Sequence, residues 1–193
     1  MSIYQFAPAK GLGCEPFVTY TNGFSSEELD TIESYCDTLP LSPAFVSNDI
    51  NLEYRKSKVS WVSNNNQIAW FYDRMAYICR NLNNQYYGFD MWGFIEDFQY
   101  TVYTDTEEKY DWHVDISSDI DIPRKLSMVL QLSSPDDYEG GNLEIMTSKD
   151  PISVRKEKGL VTLFPSYTLH RVTPVTKGIR KTIVIWATGP SLR

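Results

Sequence analysis

Histidine is nearly missing from this 193-residue chain, which holds only His113 and His170. Cysteine is almost as scarce: Cys14, Cys36 and Cys79 are odd in number, unrelated in spacing, and form no Cys-x-x-Cys pair. That pattern excludes a disulfide frame and a cysteine-ligated zinc, and reads as reduced thiols in a cytoplasmic protein. Positive charge is in deficit, with 18 Lys plus Arg against 25 Asp plus Glu and a net charge of −7. A chain so acidic lacks the basic footprint of a nucleic-acid binder. Nothing approaches the roughly 18 consecutive apolar residues of a membrane span. Residues 1–13 also lack the basic start and apolar core of a secretory signal. Phosphate loops are absent: Gly140-Gly141 belongs to no GxGxxG or Walker pattern and precedes a strand, so it reads as a turn. Asp119 and Asp121 are followed by no calcium-loop pattern.

What is present suits a folded domain. Hydrophobic residues make up 42% and aromatics 14%, too apolar for disorder, and the length fits one domain with a sizeable core. The N-terminal third is helical in character. Ser25-Ser26-Glu27-Glu28 is a capping box, followed at helical spacing by Leu29, Ile32, Tyr35 or Cys36, and Leu39, with Pro40 closing the element. Asn64 to Asn66 lead into a second helix with Ile68, Phe71, Tyr72, Met75, Ile78, Cys79 and Leu82 on one stripe. Residues 56–62 alternate like a strand.

From Trp92 onward the pattern becomes short strands, predicted near 94–103, 110–114, 126–132, 142–146, 152–155, 160–164, 170–174 and 182–186. Turns are expected at Ser134-Pro135-Asp136-Asp137, Glu139-Gly140-Gly141, Glu157-Lys158-Gly159, Pro165-Ser166 and Thr176-Lys177-Gly178. The expected class is mainly β with N-terminal helices (α+β), a sandwich or jelly roll with the helices against the outer face of its larger sheet. It reads as one domain, a helical support over about 1–91 and a jelly-roll core over about 92–190, with no repeat or linker.

Both scarce histidines fall on predicted strands. In Trp112-His113-Val114-Asp115 the histidine and aspartate share one face, because strand side chains repeat every two residues. With His170 they make a 2-His-1-carboxylate set, which occupies one face of an octahedral iron and leaves three positions open. The competing reading is a pair of packing histidines, and it weakens because the other expected partners lie close by. Arg180 and Thr182 sit two apart on the last strand. Arginine's planar fork pairs with a carboxylate bidentately, and an inward arginine in a small β core needs an anion such as a dicarboxylate cosubstrate. Tyr103 and Gln131 are further candidates to hydrogen-bond that carboxylate, while Tyr110 and Trp112 flank the first ligand.

Longer stretches carry a resemblance. Arg124-Lys125-Leu126-Ser127-Met128-Val129-Leu130-Gln131-Leu132, Asp137-Tyr138-Glu139-Gly140-Gly141-Asn142-Leu143, Leu163-Phe164-Pro165-Ser166, His170-Arg171-Val172-Thr173-Pro174-Val175 and Gly178-Ile179-Arg180 resemble the iron- and 2-oxoglutarate-dependent oxygenases, in their prolyl 4-hydroxylase-like, PKHD-type branch. The likeness runs from about Phe94 to Pro190, with weaker echoes near Ser25 and over 55–61. It implies a double-stranded β-helix with Fe(II) on His113, Asp115 and His170. It also implies 2-oxoglutarate on that iron, its far carboxylate on Arg180 and Tyr103, O2 as the second cosubstrate, and a place for ascorbate. It sets Arg124 and Trp186 at the substrate entrance, with Tyr110 and Trp112 as further substrate contacts. Two departures stand out: Gln131 replaces a tyrosine of several relatives, and the segment 104–109 is unusually acidic. The implied reaction is hydroxylation of an unactivated C–H with release of succinate and carbon dioxide, most simply on a prolyl residue of a peptide or protein. Asp115 favours hydroxylation, because related halogenases lack this carboxylate. The alternatives are the same chemistry on a free amino acid or small metabolite, and a non-enzymatic metal-binding jelly-roll module. Neither nucleic acid nor membrane is an expected partner.

Overall fold

The structure is a computed structural model that describes residues 15–44, 53–116 and 122–191. Cys14, the 1–13 segment read for a leader, and Asp119 and Asp121 lie outside the described residues.

In chain order the elements are β1 (Val18–Tyr20), α1 (Ser26–Asp37), β2 (Ser42–Pro43), β3 (Arg55–Lys56), β4 (Lys58–Val62) and α2 (Ala69–Leu82), with one π-helical turn at Asn83–Tyr87. Then follow β5 (Phe98–Thr104), β6 (Glu108–His113), β7 (Arg124–Gln131), β8 (Tyr138–Gly140), β9 (Leu143–Met146), β10 (Pro151–Ser153), β11 (Val161–Pro165) and β12 (His170–Thr188). The major sheet runs β1-β11-β7-β12-β5-β4-β2, antiparallel throughout. The minor sheet sets β6 on one side of the first half of β12 and β9, then β8, on the other, with β3 outside β6 and β10 outside β9. Two sheets sharing one strand and facing each other make a jelly roll, mostly antiparallel β with few helices, as the sequence led one to expect.

Alternation on the major sheet explains the layers. Phe98, Tyr100 and Val102 of β5, Leu126, Met128 and Leu130 of β7, and Ile183 and Ile185 of β12 point outward into the main core. There they meet Leu29, Ile32 and Cys36 of α1 and Phe71, Met75, Ile78, Cys79 and Leu82 of α2. The intervening residues, among them Gln99, Thr101, Tyr103, Thr182 and Trp186, turn inward to a cleft between the sheets. The capping box forms as read: Glu28 N–H donates to Ser25 Oγ at 3.2 Å and Ser25 N–H to Glu28 Oε2 at 2.9 Å. The start of α2 has no side-chain cap at Ile68. The Asn65 carbonyl accepts from Ile68 and Ala69 instead, at 3.0 and 2.8 Å. Tyr72 stacks on Phe98 with 3.7 Å between ring centroids, fastening α2 to β5.

The structure corrects three expectations. The N-terminal third holds more strand than expected: beside β4, which falls within the predicted 56–62 strand, β1 and β2 extend the major sheet and β3 the minor one. The predicted turn at Glu139-Gly140-Gly141 begins inside β8, where Gly140 pairs with Val175 and Glu139 with Lys177. Most consequentially, the predicted strands at 170–174 and 182–186 are one strand, and Thr176-Lys177-Gly178 is a bend within it rather than a turn. Periodicity breaks there because β12 crosses from the minor to the major sheet, with register shifts between Val172 and Val175 and between Val175 and Lys177. Gly178 permits the bend. Its φ is +74°, and a Cβ there would meet the Asp137 carbonyl oxygen at 1.9 Å. Gly178→Ala is expected to cost about 3 kcal/mol, combining left-handed strain with a backbone clash. Urea unfolding of the two proteins measures it.

Candidate metal centre

The backbone register brings the scarce histidines together. His170, the first residue of β12, pairs directly with His113, the last of β6. Asp115 follows two residues later, its N–H donating to the Ser166 carbonyl at 2.8 Å. Asp115 Oδ1 lies 3.7 Å from His113 Nε2, and Oδ2 lies 3.6 Å from His170 Nε2. The three ligand atoms fall within 4.8 Å of one another, and all three residues are buried.

Neighbours orient each ligand. His113 Nδ1 is 2.7 Å from the Asp111 carbonyl oxygen and His170 Nδ1 is 2.9 Å from that of Thr168. A carbonyl only accepts, so each Nδ1 carries the proton and each Nε2 lone pair is left for the ion. Burial, then the facing His170, push the His113 pKa down to about 3, against the pull of Asp115. That imidazole is neutral at neutral pH. Burial opposes the ionised form of Asp115. The neighbouring His170 and His113, then the Ser127 hydroxyl, outweigh it and hold the carboxyl below the usual carboxylate range. Ser127 Oγ donates to Asp115 Oδ2 at 2.6 Å and sits 3.0 Å from Ser166 Oγ. Tyr110 stacks on the His113 ring at 3.5 Å. Two imidazole nitrogens and one carboxylate, with no thiolate among them, suit ferrous iron and leave one face open.

The centre opens into a cleft of about 830 Å³. Arg180, opposite Tyr103 across β12 and β5, is 3% exposed, and its guanidinium lies 5.4 Å from the Tyr103 ring centroid. Its Nε is buried without a hydrogen-bond partner, and no ion pair reaches it among the described residues. Such a cation calls for an anion from outside the chain. Thr182 lines the same wall, and Tyr110 and Trp112 line the cleft from the minor sheet. Trp186 stands at the mouth with the Arg124 guanidinium 3.6 Å above its ring, and Arg124 is itself paired with Glu96. Arg124 also donates to the Asp115 carbonyl at 3.3 Å.

Gln131 is placed differently from the sequence expectation. Its amide nitrogen donates to the Ser133 carbonyl and the Tyr138 hydroxyl, both at 3.2 Å, and it lines a small void behind Arg180 rather than the cleft. The void also holds Tyr138, which the sequence reading passed over. Ser127, Trp61 and Arg55 were passed over as well. Trp61 lies 6.3 Å from Trp186 at the mouth, and Arg55 lines the wall beside Tyr110. Inward alternation with Val129 would have found Ser127; the others come from separate elements, and only the fold assembles them.

A jelly roll whose two sheets enclose a 2-His-1-carboxylate cluster beside a buried arginine defines a class of mononuclear metal proteins. Residues 98–188 match the family model of the 2OG-Fe(II) oxygenase superfamily. A PKHD-type hydroxylase of Synechococcus sp. (strain JA-2-3B'a(2-13)) is 40% identical over 87 residues, 45% of this chain and 36% of that protein. One from Teredinibacter turnerae is 45% identical over 83 residues, 40% of this chain and 36% of that protein. The matched part thus spans about a third of the length of these curated relatives. In overall fold the chain is similar to a Pseudomonas putida prolyl-4-hydroxylase, with TM-score 0.75, 18% identity, and 92% of this chain and 95% of that one covered. It is also similar to the viral collagen prolyl hydroxylase from Paramecium Bursaria Chlorella virus-1, with TM-score 0.68, 20% identity, and 92% and 98% covered.

Loss of the Ser127 hydroxyl leaves Asp115 without its orienting donor. Ser127→Ala is expected to weaken Fe(II) or Mn(II) binding by about 10- to 100-fold while the far-ultraviolet dichroism stays unchanged. Calorimetric metal titration reads the difference.

Proposed function

We infer that this chain is an Fe(II)- and 2-oxoglutarate-dependent oxygenase that hydroxylates a prolyl residue of a peptide or protein. The observation that carries the reading is Arg180, a buried guanidinium with an unpartnered Nε in the same cleft as the triad. In this reading His113, Asp115 and His170 hold the iron, and Arg180 takes the far carboxylate of the cosubstrate with Thr182 and Tyr103 beside it. With iron and 2-oxoglutarate bound, O2 would be the oxidant: one of its oxygen atoms would enter the substrate C–H bond and the other the succinate that 2-oxoglutarate becomes on losing carbon dioxide. The chain's own part is positional. Asp115 stays ionised under Ser127, and the imidazoles are fixed in the ligating tautomer. The apolar wall of Val129, Leu143, Val172 and Val184 keeps the cosubstrate's methylenes from water. Gln131 serves this site indirectly, through Tyr138. Trp186, Arg124, Tyr110 and Trp112 face the entering substrate.

A peptide substrate is supported by the mouth, where the exposed Trp61 offers a flat apolar face suited to a proline ring. The second reading is the same chemistry on a free amino acid or small metabolite, whose own carboxylate would match the charge on Arg55.

Two experiments test the proposal. Anaerobic addition of Fe(II) and then 2-oxoglutarate is expected to raise a weak visible charge-transfer band. The band should be absent in Asp115→Ala and should need about 100-fold more 2-oxoglutarate in Arg180→Ala, the order expected for losing one partner of a buried charge pair. Mass spectrometry of a panel of proline-containing peptides should then show addition of one oxygen. A band without any peptide product moves the substrate to the small-molecule class; no band removes the oxygenase reading.

A further inference from the structure

Arg55 is the second buried arginine of the cleft that no carboxylate neutralises. It stands 8% exposed at the start of β3, its partners are neutral, and its position is internal. Nε donates to Ser57 Oγ at 3.2 Å, Nη2 donates to Gln99 Oε1 at 2.9 Å, and the guanidinium lies 4.4 Å from the Tyr110 ring centroid. No described carboxylate forms an ion pair with it. The lining of the cleft holds three arginines, Arg55, Arg124 and Arg180, and one acid, Asp115. Glu96 neutralises Arg124. A bound ferrous ion and the dianionic cosubstrate answer Asp115 and Arg180, as argued above, and leave one positive charge over, that of Arg55. A chain of net charge −7 that places two arginines without carboxylate partners inside its cleft is built to draw anions there.

Gln99 strengthens the site. Its carbonyl oxygen is taken by Arg55 and by Thr101, whose hydroxyl donates to it at 3.4 Å, so its amide nitrogen stands as a further donor from the major sheet beside the guanidinium. Tyr110, sandwiched between Arg55 and the His113 ring, sets this anchor beside the metal centre. We propose that Arg55, assisted by Gln99, binds a carboxylate of the primary substrate, so that this enzyme selects substrates carrying a carboxylate close to the carbon it oxidises. The inference rests on the oxygenase reading above. The carboxylate has two sources, an acidic side chain next to the target residue in a peptide, or the terminal carboxylate of a free amino acid.

The test titrates anaerobic protein loaded with Fe(II) and 2-oxoglutarate and follows the emission of the cleft tryptophans. Two probe pairs differ only in charge: N-acetyl-aspartyl-prolinamide against N-acetyl-asparaginyl-prolinamide, and proline against prolinamide. In the wild type the carboxylate member of one pair should bind at least tenfold tighter than its amide. In Arg55→Gln that preference should fall below twofold, and Arg55→Lys should keep part of it. The pair that responds identifies the source. A parallel titration on metal-free Arg180→Gln protein leaves Arg55 as the remaining unpaired cleft cation, so the preference is read even if 2-oxoglutarate fails to load. Failure to load overturns the oxygenase reading. Absence of any carboxylate preference in the wild type, or its survival in Arg55→Gln, overturns the role of Arg55.

Discussion

The pairing of β12 with both sheets is the constraint from which the site follows. At its start His170 is locked opposite His113; further along, Arg180 is locked opposite Tyr103. Ladder hydrogen bonds hold both registers. A slip of one residue would turn the histidine or the arginine out of the cleft, because successive side chains face opposite ways. One strand therefore fixes the spacing between the ligand cluster and the anion anchor without help from a flexible loop. The bend at Gly178 is the geometric condition for this, since it lets the same strand belong to two facing sheets.

Burial then acts on the polar groups that the strands carry inward. An isolated carboxylate in such a place would take up a proton, and an isolated imidazole would be free to choose either tautomer. Here Ser127 donates to Asp115, and backbone carbonyls of Asp111 and Thr168 receive the Nδ1 protons. The result is an arrangement already shaped for a divalent cation, with two imidazole nitrogens and one carboxylate oxygen within 4.8 Å of one another. The opposite face of the same major sheet is filled by Leu126, Met128, Leu130, Ile183 and Ile185 under the two helices. Rigidity on the outer face is what lets the inner face keep so many charges in fixed places.

Much of this was legible before the fold was known, because it depends on local periodicity. His-x-Asp needs only a strand, the α1 cap needs only four residues, and the two-residue step from Arg180 to Thr182 puts both on one face. What local pattern could not carry was the consequence of strands meeting. Gln131 has the right alternation for the cleft, yet Tyr138, brought alongside by β8, takes its amide and turns it to the back of Arg180. The bend in β12 looks like a turn in sequence because glycine and polar residues mark both. Arg55 and Trp61 come from a region that reads mainly as support for the core, and they reach the cleft only because β3 and β4 join the sheets.

The balance of charge links fold to selectivity. Surface acids set the sign of the protein, while the cleft inverts it, and a low-dielectric enclosure makes that inversion felt more strongly than the same charges would be in water. An anionic cosubstrate is repelled by the exterior and held by the interior, so its capture depends on entering the cleft rather than on surface attraction. Arg124 shows how the chain restrains this effect: beside the mouth its charge is cancelled by Glu96 and its flat face is spent on Trp186. Within the cleft lining, positive charge without a carboxylate partner is thus held by Arg180 and Arg55. In the proposed chemistry the first would serve the cosubstrate anion, and in the proposed selectivity the second would discriminate among the molecules acted upon.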